Sequence, residues 1–147
     1  MTSDPVKAKA IRPVLGEIFR RYVQTQCYHW NVEGPDFRTL HSMFEVQHQT
    51  LLEFMDRVAE RLRVLGAKAP RTTSELLALS VRDPLAEAGT ADEMLRNQCA
   101  EFLRLIDVLR AALKVLTDVG DDGTVSVLTD LLEWVEKEHW MMSAATK

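Results

Sequence analysis

The segment Tyr28–Glu45 reads YHWNVEGPDFRTLHSMFE and carries one histidine on each side of Gly34-Pro35. Glycine admits backbone angles closed to other residues, and proline disfavours a helical residue before it. The pair therefore predicts a tight turn between two helices. Upstream, Ile11, Val14, Leu15, Ile18, Phe19, Tyr22 and Val23 recur at i, i+3, i+4 and i+7, the stripe of an amphipathic helix. Pro13 fits the first turn of that helix, where a missing N–H costs nothing. Downstream, Asp36 is a candidate N-cap, and Phe37, Leu40, Phe44, Leu51, Met55, Val58, Leu62 and Leu65 carry a second stripe.

Further out, Gly66 to Pro70 stops the second helix, and a long connection follows. It is punctuated by Asp83-Pro84 and Gly89, with one short helix expected at Ser74–Leu79. Thr90 followed three residues later by Glu93 is a capping box for a third long helix, whose stripe is Met94, Leu95, Phe102, Leu105, Ile106, Leu109 and Leu113. Gly120–Gly123 is a turn, and a fourth long helix is expected from about Thr124 through Leu128, Leu131, Leu132 and Val135. No segment alternates like a strand. The order is helix, tight turn, helix, long crossover, helix, tight turn, helix. This predicts an all-α, ferritin-like four-helix bundle with one long crossover containing a short helix. A single domain over residues 1–147 is expected, with a short N-terminal tail to about residue 9.

Bulk properties exclude several classes. The 147 residues are 46% apolar and 27% charged, enough for one buried core. No apolar run approaches the roughly 20 residues of a membrane span, and Met1–Ala10 lacks the apolar stretch of a secretory signal. Cys27 and Cys99 form no CxxC pair, which suits reduced thiols and a cytoplasmic location. A net charge of −4 disfavours a body that grips nucleic acid and is compatible with attraction of metal cations.

The second helix carries four potential metal ligands, His41, Glu45, Asp56 and Glu60, spaced by four, eleven and four. These spacings are close to whole turns, so the four fall within an arc of about 100°. That arc is centred roughly 120° from the apolar stripe, away from the bundle's own core. A solvated acidic face is the bland reading of such a row. His29 adds weight to the other. It lies about as far before the Gly34-Pro35 turn as His41 lies after it, so the two imidazoles come level in an antiparallel pair. Asp56 is some 20 residues past the turn, roughly 30 Å down the helix. One chain cannot bring His29 and Asp56 to one ion, whereas a two-fold partner running antiparallel can, and an isologous dimer makes two such sites. Two imidazoles with carboxylates suit Fe(II) or Zn and are too nitrogen-rich for Mg or Ca.

The same residues resemble a known family. Tyr28-His29-Trp30-Asn31-Val32, Gly34-Pro35, Phe37, Leu40-His41 and Phe44-Glu45 are similar to the signature of the Dps mini-ferritins. The likeness continues through Asp56-x-x-Ala59-Glu60-Arg61, Leu65-Gly66 and Pro70, then Asp122-Gly123-Thr124 and Glu136-Lys137-x-x-Trp140-Met141. The resemblance implies a twelve-subunit cage that oxidises Fe(II), by hydrogen peroxide more readily than by dioxygen, and stores ferric mineral. It implies ferroxidase sites shared across two-fold dimers, with His29 and His41 from one subunit and Asp56 and Glu60 from the other. Glu45 stands where the family often has Asp. Trp30 would sit beside the metal and intercept radicals, or else serve as an aromatic packing wedge. Asp121, Asp122 and Asp130 would line an iron-entry pore; alternatively, Asp121 and Asp122 favour the helix N-terminus through its dipole.

Three rival readings remain. Glu45-x-x-His48 and Glu136-x-x-His139 are i, i+3 pairs of the kind that build di-iron sites inside a bundle, with Glu101 at a similar height. The first helix offers only Gln24 at that level, with Glu17 roughly 10 Å away along the axis. His48 and His139 are accordingly expected to be surface or interface polar residues. DNA binding and a nucleoid association would rest on Lys7, Lys9, Arg12 and the terminal Lys147, few contacts per chain and strongly salt-dependent, though multiplied by copy number. A helical oligomer without metal chemistry leaves the shared ligand face unexplained.

Overall fold

The computed structural model describes residues 4–80 and 87–147; Asp83-Pro84 lies outside them. Among the described residues there are five helices and no strand: α1 (Pro5–Asn31), α2 (Phe37–Val64), α3 (Thr73–Leu77), α4 (Ala91–Asp118) and α5 (Asp122–Ala145). The four long helices form the bundle, α1 packing on α2 and α4, and α5 on α4 and α2.

Side-chain contacts fix the directions. Gln98 near the start of α4 reaches Thr25 late in α1, whereas Val108–Val115 share a groove with Val6–Pro13. The helices α1 and α4 are therefore antiparallel. On α5, Thr124 meets Arg61 and Glu138 meets Gln47, so α5 opposes α2. The crossover thus carries the chain back along the bundle, and α4 runs parallel to α2, as the expected topology requires. On its way it crosses α1 at Gly16. A Cβ there would lie 2.6 Å from the backbone of Leu79, so only glycine lets the strap sit this close. Ser80 Oγ then donates to buried Glu17 at 3.0 Å.

Helix ends follow local chemistry. Thr90 and Glu93 form the expected capping box. Gly66 (φ 77°) closes α2, with Ala67 N–H donating to Leu62 C=O, and Gly120 (φ 69°) closes α4, with Asp121 N–H donating to Leu116 C=O. Both are left-handed glycine stops that satisfy otherwise orphaned carbonyls.

Three boundaries differ from expectation. The helix α1 begins at Pro5, so residues to about 9 are not a tail: Asp4 caps the backbone N–H groups of Val6 and Lys7, and Pro5 sits where its missing N–H is harmless. Pro13 lies inside α1 rather than in its first turn. Asp36 occupies the N-cap position of α2, but its φ of −95° and ψ of 16° are not the extended geometry a cap needs, and its side chain makes no capping bond. The short crossover helix spans Thr73–Leu77 and is capped by Thr72.

Candidate metal centre

His29, two residues from the end of α1, and His41, in the second turn of α2, face each other across the Gly34 turn. Their rings stack with centroids 3.9 Å apart. His29 Nδ1 lies 2.9 Å from the carbonyl of His41, and His41 Nδ1 lies 2.7 Å from the carbonyl of His29. A carbonyl only accepts, so each Nδ1 carries the proton and donates it. The proton is thereby placed on Nδ1, and in the neutral form of each ring Nε2 carries the lone pair, the arrangement that orients a metal-binding imidazole. Phe37 stacks on the outer side of His41 at 4.9 Å. The level pairing predicted from the turn is what the structure has.

Of the remaining predicted ligands, Glu45, Asp56 and Glu60 are all exposed along α2, away from the buried stripe of Leu40, Phe44, Gln47, Leu51, Phe54, Val58 and Leu62. The helix runs unbroken from Phe37 to Val64, so His41 and Asp56 stand about 22 Å apart along its axis. The chain brings His29 and His41 together and leaves Asp56 and Glu60 at the far end. Among the described residues, no three His, Cys, Asp or Glu side chains of one chain converge on a common point for a metal. Trp30 is 65% exposed beside His29, which excludes a wedge in the chain's own core.

The bundle interior does not supply the rival di-iron site. Glu45 and Glu136 point outward, and Glu136 accepts from Arg110 at 3.2 Å. Glu101 is buried but held by the fully buried guanidinium of Arg21 at 2.8 Å and by Arg104 at 2.6 Å. One turn away, Gln98 donates to Thr25 and Gln47, and Gln47 donates to Glu138, linking all four long helices in one polar belt. A built-in cation and amides already satisfy the interior carboxylates, so a metal there would duplicate the charge of Arg21.

The acidic trio of the expected pore separates. Asp121 is buried as the N-cap of α5, accepting from Thr124 N–H at 3.1 Å and from Thr124 Oγ at 2.7 Å, with Arg61 at 3.4 Å. It caps α5, in line with the second of the two readings of the sequence. Asp130 pairs with Arg57 at 2.8 Å, and Asp122 is exposed in the first turn of α5.

One neighbour of the histidine pair was read from the sequence only as a surface or interface polar residue. His48 lies beside His29, ring centroids 5.3 Å apart, with Tyr22 on its other side at 6.1 Å. Partial burial and the adjacent His29 hold its imidazole below the usual range, and Glu45 pulls the other way. The signal was available, because His48 follows His41 by seven residues, two turns on the same face. His139 is half-buried on α5, and no contact places it with this group.

Comparison with known proteins adds the following. Residues 8–147 match the family described as the ferritin-like domain. General stress protein 20U of Bacillus subtilis is 32% identical over 123 residues, 84% of this chain and 85% of that one. The DNA protection during starvation protein of Brevibacillus brevis is 30% identical over 84% of this chain and 83% of its own. Among solved structures, the Dps protein of Vibrio cholerae O1, described as a member of a broad superfamily of ferritin-like diiron-carboxylate proteins, superposes with a TM-score of 0.90. It is 26% identical, over 100% of this chain and 98% of that one.

Proposed function

The chain belongs to the ferritin-like family and, within it, to the Dps proteins, and we propose accordingly that it oxidises Fe(II) at sites shared between two subunits and stores the ferric product inside a dodecameric cage. The observation that carries this reading is the reciprocal clamp of His29 and His41. It engages both Nδ1 atoms with carbonyls and so reserves both Nε2 atoms for a ligand, while the carboxylates that would complete the site begin about 22 Å away on the same helix.

A second copy supplies what one chain lacks. His41 and Glu60 are placed symmetrically about the Thr50–Leu51 peptide bond, and so are Glu45 and Asp56. An antiparallel α2 pair centred there sets the histidine end of each helix level with the carboxylate end of the other. Each site would then hold Fe(II) by His29 and His41, with Glu45 beside them and Asp56 and Glu60 of the partner subunit. Imidazole nitrogen suits Fe(II), and the carboxylates favour the harder Fe(III) product. Zinc would fit the same donors as an inert competitor. Hydrogen peroxide, the preferred oxidant, takes one electron from each of a pair of Fe(II) ions. Its O–O bond breaks to hydroxide, and hydrolysis of the Fe(III) gives mineral and protons. Trp30, exposed next to His29, would reduce a stray radical before it leaves.

Binding to DNA through a lysine tail has less support. Lys7 is tied to Asp4 at 3.3 Å within the first turn of α1, and Arg12 donates to the carbonyl of Lys68 at 2.9 Å. Protection of DNA would follow from consuming Fe(II) and peroxide together. No helix of the described residues is long and apolar enough to cross a membrane, in keeping with a cytoplasmic role.

The test is anaerobic Fe(II) loading followed by peroxide, with ferric absorbance recorded. Wild type is expected to oxidise iron well above the buffer rate, and His29→Ala or Asp56→Ala to lose about tenfold or more. A wild-type rate equal to buffer removes the ferroxidase reading.

A further inference from the structure

We propose that Phe37 is a positioning residue of the histidine clamp: its ring, laid on His41, holds that imidazole at the angle from which Nε2 takes a metal. The inference rests on the shared-site reading. Phe37 is the first residue of α2, and His41 lies one turn further along the same helix. The Phe37 ring stacks on His41 with centroids 4.9 Å apart and planes 27° apart. His29 stacks on the same imidazole at 3.9 Å and 20°. Two rings stacked on one imidazole occupy its two faces, so His41 is the middle plate of a three-ring stack.

The carbonyl exchange alone does not fix this plate. It holds His41 at one atom, Nδ1, and a ring held at one atom can still pivot about that bond. A pivot swings Nε2, on the far side of the ring, and a lone pair aimed off the ion binds it poorly. Flat contact on both faces removes the pivot. Burial within the chain does not account for Phe37, which is 41% exposed. The first turn of a helix favours acidic side chains, yet α2 has none there and begins with this aromatic ring. The turn sets its place: Phe37 N–H donates to Gly34 C=O at 3.0 Å, and Gly34 has a φ of 112° that favours glycine. The same turn that brings the two histidines level thus delivers the ring that steadies one of them.

Cobalt(II), which is spectroscopically visible and resists oxidation under anaerobic conditions, is the probe. The assembled wild-type protein, Phe37→Leu and Phe37→Tyr are each titrated with Co(II), with affinity read by equilibrium dialysis and the bound ion by visible absorption. Leucine keeps apolar bulk without a flat face, and tyrosine keeps the face. Phe37→Leu is expected to bind Co(II) about tenfold more weakly, with altered absorption bands, and Phe37→Tyr to match wild type. Sedimentation of the same samples reports assembly. Wild-type affinity in assembled Phe37→Leu overturns the positioning role and leaves the shared site standing. Equal weakening in Phe37→Tyr, or weakening only where subunits have come apart, also overturns it and assigns Phe37 to a contact between copies. No cobalt bound to wild type overturns the shared site and the positioning role with it.

Discussion

At the scale of residues, the side chains that matter most are those whose polarity disagrees with their surroundings. His29 sits on the apolar stripe of its own helix, and its spacing from Gly34-Pro35 and His41 was enough to predict that the two imidazoles meet. The clamp itself was not legible, because a ring nitrogen's choice of a carbonyl depends on the crossing of two helices and not on spacing. Arg21 was hidden for a similar reason. A single charge on an apolar stripe has no periodic signature, and its partner Glu101 is 80 residues away. Burying a charge is costly unless it is paired, so removing Arg21 takes away the buried partner of Glu101 and leaves it the exposed Arg104. Arg21→Met is expected to destabilise the subunit by about 3–5 kcal/mol, and Arg21→Met with Glu101→Leu to recover most of that loss. Urea unfolding of the two variants measures both. Equal stability of Arg21→Met and wild type would show that the pair is not held as described.

At the scale of elements, the four long helices, the short crossover helix and the capping box were all readable, because apolar period and cap chemistry act within one turn. Boundaries set by longer reach were not. The apolar stripe begins at Ile11, yet α1 starts at Pro5, because Asp4 caps it and its N–H is held by Leu65 C=O at the end of α2. The Asp4 carboxyl is held below its usual value of 3.8, first by the backbone N–H of Lys7. A carboxylate with a depressed folded pKa contributes stability above its unfolded value and loses it as pH falls through the folded one. Asp4→Ala should therefore speed amide exchange at Val6, Lys7 and Ala8 at neutral pH. The difference from wild type should shrink as pH drops below about 3.8. A difference independent of pH would assign the effect to something other than the charged cap.

At the scale of the whole molecule, the histidines and the carboxylates of the proposed site lie about 22 Å apart along α2, and Arg21 occupies the core beside Glu101. The function proposed here is thus a property of the dimer. This much was legible from counting residues along α2, since the rise of a helix fixes the separation whatever the packing. What counting along α2 could not give is the ring contact between His48 and His29, which depends on how two helices cross. Complementation tests the shared site most directly. Subunits carrying His29→Ala and subunits carrying Asp56→Ala are dissociated, mixed equally, reassembled and assayed for peroxide-driven Fe(II) oxidation. Each variant alone should be inactive. Random pairing leaves one site in four with both halves intact, so the mixture should recover roughly a quarter of the wild-type rate. No recovery in a mixture that has demonstrably reassembled would contradict a site built from two chains.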